Sequence, residues 1–110
     1  MPVENNRRSG RAMTRSIGSE TITLADLQVG TEVVTASAIV GVDWTVANGT
    51  ITIARGANTV LVLTEGQDGW DFIGDGGIDK DDTGSYVITF STGAVGTCIM
   101  LLTKKSDGEV

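Results

Sequence analysis

The stretch Val42-Asp43-Trp44-Thr45-Val46-Ala47-Asn48-Gly49-Thr50-Ile51-Thr52-Ile53 decides the fold class of this 110-residue chain. Apolar and polar residues alternate on both sides of Asn48-Gly49, the period of a half-buried strand. Asn-Gly is the preferred loop of a two-residue type I′ hairpin, because both central residues need positive φ. Such a hairpin pairs Ala47 with Thr50, Val46 with Ile51, Thr45 with Thr52 and Trp44 with Ile53. One face then carries Trp44, Val46, Ile51 and Ile53, and the other carries threonine and alanine. Pattern and turn agree on register.

The period of two continues outward from this segment. Upstream, Ile22 and Leu24 alternate with Thr21 and Thr23. Val34, Ala36, Ala38 and Val40 then form one face of a long strand, against Val33, Thr35, Ser37 and Ile39. Both faces are apolar, which predicts a central strand. Downstream, strands are expected at Thr59–Thr64, Trp70–Ile73, Ser85–Ser91 and Thr97–Thr103, with Tyr86, Ile88 and Phe90 on one face. Leu24-Ala25-Asp26-Leu27 allows one helical turn at most. Short strands joined by glycine turns predict an all-β chain, a single small β-sandwich or barrel over residues 20–103. Residues 1–19 read as an extended, flexible basic N-terminal arm, and residues 104–110 as a polar tail. A domain this small buries a modest core, so neighbours are expected to supply further burial.

Charge and composition exclude several functions. The net charge is −6, yet Arg7, Arg8, Arg11 and Arg15 all fall in the first fifteen residues. Only Arg55, Lys80, Lys104 and Lys105 are basic beyond them, so the body is acidic and a poor platform for phosphate backbones. The arm lacks the aromatics that stack on bases, and its four arginines are expected to bind acidic protein surfaces. The chain has no histidine, which removes histidine-dependent triads and histidine–zinc sites. Cys98, the single cysteine, lies in the apolar run Cys98-Ile99-Met100-Leu101-Leu102 and reads as core. No serine or threonine sits in a nucleophile elbow, so no catalytic residue and no cofactor is expected. No apolar run reaches the ~18 residues of a membrane span, and none follows the first arginines as a secretory signal would. Asn48-Gly49-Thr50 matches a glycosylation sequon and is read here as a turn.

Three resemblances add to this reading. Asp79-Lys80-Asp81-Asp82-Thr83-Gly84 resembles the start of a calcium loop, with Asp79, Asp81 and Thr83 at the first three ligand positions. Position twelve would be Phe90, which offers no carboxylate, so aspartate and glycine are read here as turn formers. Asp82-Thr83-Gly84-Ser85-Tyr86 resembles the tyrosine corner of immunoglobulin-like domains, and Trp44 follows the long strand as their core tryptophan does. That resemblance implies an immunoglobulin-like sandwich with Trp44, Tyr86 and Phe90 as structural core. Ile88 and either Ala36 or Ala38 stand where its two cysteines would be. A jelly roll or another small barrel is the alternative.

As a type, a short, acidic, glycine- and threonine-rich β chain with a terminal arm resembles small bacteriophage virion proteins, above all capsid decoration (cement) subunits. The resemblance implies a non-enzymatic structural protein located in the virion. It would dock on a shell, with the major capsid protein or neighbouring copies as partners, as a homo-oligomer or bound to the lattice. A phage neck or tail component, or a cellular assembly subunit, is similar in kind. A carbohydrate- or surface-binding module remains a further alternative. It would display exposed aromatics, which the alternation here places mostly inside.

Overall fold

The computed structural model describes residues 3–4, 11–28, 33–71 and 83–107, and most of these are in strands. The strands are β1 (Val3–Glu4), β2 (Arg11–Ser16), β3 (Glu20–Ile22), β4 (Val33–Ala47), β5 (Ile51–Arg55), β6 (Asn58–Leu63), β7 (Gly66–Asp71), β8 (Tyr86–Phe90) and β9 (Val95–Asp107). The expected helical turn is a 3-10 turn, Leu24–Leu27. It starts in a capping box, in which Thr23 Oγ1 accepts from the Asp26 amide and Asp26 Oδ2 accepts from the Thr23 amide. Among the described residues no helix is long and apolar enough to cross a membrane.

The strands form a β-sandwich of two antiparallel sheets, ordered β1-β2-β9-β4-β7 and β3-β8-β5-β6. The order has a simple origin. β5 pairs with β6, β4 with β7, β3 with β8 and β2 with β9, as the two arms of one long hairpin would. Rolling that hairpin up also brings β4 beside β9 and β5 beside β8. Successive strands on each arm thus alternate between sheets, and the result is a jelly roll.

This corrects the immunoglobulin-like expectation. In that fold the last two strands are neighbours in one sheet, whereas β8 and β9 lie in opposite sheets. Tyr86 reaches across the sandwich, where its hydroxyl donates to Ser37 Oγ on β4 at 2.8 Å.

The Asn48-Gly49 hairpin is also overturned. Asn48 has φ 64°, but the chain does not double back: β4 and β5 belong to different sheets. Val46 pairs with Gly96 and Gly66, and Ile51 with Leu63 and Phe90. The arch between them is held by its new neighbours. The Asn48 amide donates to Glu65 Oε2 at 2.6 Å, and the Thr50 amide donates to Ser91 Oγ at 2.9 Å. The predicted face survives in another form, because Trp44, Val46, Ile51 and Ile53 are all buried and meet across the core. The tight hairpin lies further on, at Gly56-Ala57, where Gly56 at φ 58° takes the first loop position.

A third correction concerns the arm. Arg11–Ser16 is a strand, paired with β9 from Arg11–Thr103 to Ser16–Cys98 and flanked by β1. Its inward side chains are Ala12, Thr14 and Ser16. These are small enough to fit under the sheet, which is why no apolar alternation announces the strand. β9 likewise runs through Lys104 and Lys105, past the expected boundary at residue 103.

A cluster built on the buried charge of Arg55 lies in the interior. Arg55 is fully buried, with Nε donating to the Gly84 carbonyl at 3.0 Å and Nη1 to the Ser37 carbonyl at 2.9 Å. Its guanidinium carbon lies 4.1 Å from the centre of the Tyr86 ring. Ser37 Oγ accepts from Tyr86 and donates to the Thr103 carbonyl at 2.6 Å. These bonds tie both sheets together at the end of β5. They belong to the class worth roughly 1.5–3 kcal/mol each when one partner is charged.

The close approach of β9 to β4 gives a direct check. A Cβ on Gly96, which has φ +156°, would lie 1.9 Å from the Thr45 carbonyl oxygen. Gly18 has nothing within 4 Å. Gly96→Ala is expected to lose about 2–4 kcal/mol in urea unfolding, while Gly18→Ala stays within about 0.5 kcal/mol of the wild type. Equal effects would contradict this pairing.

A candidate assembly surface on the five-stranded sheet

Alternation along the three central strands builds the outer face of the larger sheet. On β9, Cys98, Met100 and Leu102 are buried, so Ile99 and Leu101 point outward; Leu101 is 40% exposed. On β2, Arg11 and Arg15 are exposed and Met13 is half-buried. On β4, Val42, Trp44 and Val46 face the core, leaving Asp43 and Thr45 exposed. Pairing then sets these side chains in rows across the strands. One row reads Arg15, Ile99, Asp43, Gly69; the next reads Met13, Leu101, Gly41.

The two glycines shape the surface. The Asp43 carboxylate occupies the space that a Cβ at Gly69 would need, and Leu101 Cδ1 leans to 3.2 Å from the Cβ position of Gly41. Two hollows of about 470 Å³ and 510 Å³ open beside Asp43, the first against Thr45, Thr97 and Ile99, the second against Gly41 and Leu101. The face therefore carries an apolar stripe along β9, arginines on one flank and a carboxylate on the other.

The residues singled out in the sequence are distributed as follows. Arg11 and Arg15 stand together on this face, fixed by β2. Arg7, Arg8, Asp79 and Asp81 lie outside the described residues, and Thr83 sits on an exposed turn ahead of β8. Trp44 is buried, with Nε1 donating to the Thr64 carbonyl at 3.0 Å. Tyr86 is buried, and Phe90 is half-buried against the core. Trp70, to which the sequence pattern assigns no face, is 44% exposed and meets the Trp44 ring edge-on at 5.1 Å. Asp43, Ile99 and Leu101 escape notice in the sequence. Period-two alternation within Cys98–Leu102 is the signal that would have turned Ile99 and Leu101 outward.

Cys98 is fully enclosed, and burial pushes its thiol up to about 12. The raised value makes the neutral thiol the native form, so its contribution to stability is complete below the unfolded pKa of ~8.5. That contribution falls as pH climbs toward 12, by up to about 1.4 kcal/mol per unit. The stability advantage of the wild type over Cys98→Ala in urea melts is therefore expected to shrink between about pH 9 and about pH 11. A pH-independent difference would contradict the burial. No protein-family model, curated protein or solved structure matches this chain.

Proposed function

We propose that this chain is a non-enzymatic structural protein of a bacteriophage virion, a capsid decoration (cement) subunit that assembles through the outer face of its five-stranded sheet. The observation that carries the reading is the stripe of Ile99 and Leu101 between Arg15 and Asp43. Strand pairing fixes the backbone that carries these side chains, so docking has their rotamers alone to order. Arginine suits the flank because its planar fork binds carboxylates bidentately. Many identical weak contacts on a lattice sum to a firm attachment. The jelly roll adds support by analogy, since viral capsid domains use it repeatedly. A neck or tail component would use the same face at lower copy number.

The exposed Trp70 favours one second reading, a carbohydrate-binding module, because lectin domains share this fold and aromatic rings stack on sugars.

Quantitative mass spectrometry of particles purified from a host carrying the encoding genome tests the first reading. The chain is expected in copy number comparable to the major shell protein, and the charge-reversed variant R11E/R15E is expected to fold but to be lost from particles. A few copies per particle would move the chain to neck or tail. Abundance in the lysate with absence from particles would overturn the virion reading, and selective binding on a glycan array would then support the second.

A further inference from the structure

We propose that the outer face of the five-stranded sheet is an isologous interface between two copies of this chain, with the two-fold axis running along β9. The inference rests on reading this face as an assembly surface, and it names the partner as a second copy.

Strand register sets the two flanks. Arg15 and Asp43 are both paired to Ile99, one from β2 and one from β4. They therefore lie one strand spacing, about 4.8 Å, to either side of β9. A two-fold rotation about an axis parallel to β9 and above it exchanges those two flanks. Arg15 of each copy then stands over Asp43 of the other, and Ile99 meets Ile99. In the next row Leu101, which leans over Gly41, meets its own image, and Met13 of one copy lies above the Gly41 flank of the other. Facing sheets sit about 10 Å apart, a gap that one long and one short side chain bridge.

Self-complementarity of this kind is what a two-fold interface requires: each patch must fit its own image. β9 is the strand whose two neighbours carry opposite charges in one row with an apolar residue between them. The contact rests on a few side chains of each copy, so the dimer is expected to dissociate on dilution. Salt is expected to weaken the two Arg15–Asp43 pairs and to spare the apolar stripe.

Sedimentation velocity of the full chain from about 1 µM to about 1 mM tests the proposal. The wild type is expected to shift from monomer to dimer across that range. R15D and D43R each place like charges opposite one another and are expected to raise the dimer dissociation constant at least about tenfold. Both positions are exposed, and circular dichroism verifies that each variant is folded. Mixing the two variants supplies the decisive arm. In the heterodimer the two introduced side chains face each other, and the native Arg15 of one copy faces the native Asp43 of the other. Each contact again joins a guanidinium to a carboxylate, so an equimolar mixture regains the dimer that neither variant forms alone. A wild type that stays monomeric throughout, a dimer indifferent to both swaps, or a mixture that stays monomeric would overturn the proposal. A monomeric wild type found at shell-level copy number in particles would leave the virion reading standing and assign the face to the shell.

Discussion

The structure depends on the pairing of β9 with strands on both of its edges. Thirteen residues long, it is hydrogen-bonded to β2 on one side and β4 on the other. Its inward residues Cys98, Met100 and Leu102 are fully buried. Its outward residues Ile99 and Leu101 form the candidate surface. A slip of one residue would exchange the two sets, exposing the core and burying the stripe. Core and surface are thus fixed by one register, and the tight contact of Gly96 with the backbone at Thr45 holds that register near one end. Two irregularities in β4, between Val34 and Ala36 and between Ile39 and Gly41, bend it along β9 without losing pairing.

Arg55 binds the other sheet to this frame. A buried guanidinium is expensive to desolvate; two carbonyls and an aromatic face offset part of that cost, while Nη2 has no hydrogen-bond partner among the described residues. The carbonyls come from Ser37 on β4 and from Gly84 beside β8, so the cluster discriminates against sheet arrangements that separate those elements. Lys104 serves a similar end on β9, with Nζ donating to the Leu27 carbonyl of the 3-10 turn at 3.0 Å. Ser37, Arg55 and Lys104 act as fasteners inside this small sandwich, and the apolar residues supply the bulk of the burial.

Much of this was legible in the sequence, though not the connections. Alternation assigned Trp44, Val46, Ile51 and Ile53 to the interior, and all four are there. It could not say whether those residues sit side by side in one sheet or meet across two, because a hairpin and an arch give the same pattern. The difference was decided by Glu65 and Ser91, which lie far along the chain and capture the arch backbone. β2 was hidden for another reason, since Ala12, Thr14 and Ser16 make its inward face small and partly polar. Arg11 and Arg15 stood out in the sequence by their charge, yet their setting did not. Asp43 and Ile99 join them only through pairing between distant segments, which no local pattern reports. The buried position of Arg55 was equally invisible, since an arginine at the end of a strand is ordinarily solvated.

The charge pattern of the candidate surface exists only if Arg11–Ser16 is an integral strand of the larger sheet. Amide hydrogen exchange of the purified chain, resolved by residue, tests this most directly. The amides of β2 that face β9 are predicted to exchange as slowly as those joining β9 to β4. Exchange at the rate of an unstructured peptide throughout Arg11–Ser16, with β4 and β9 protected, would contradict the account and return these residues to a free arm.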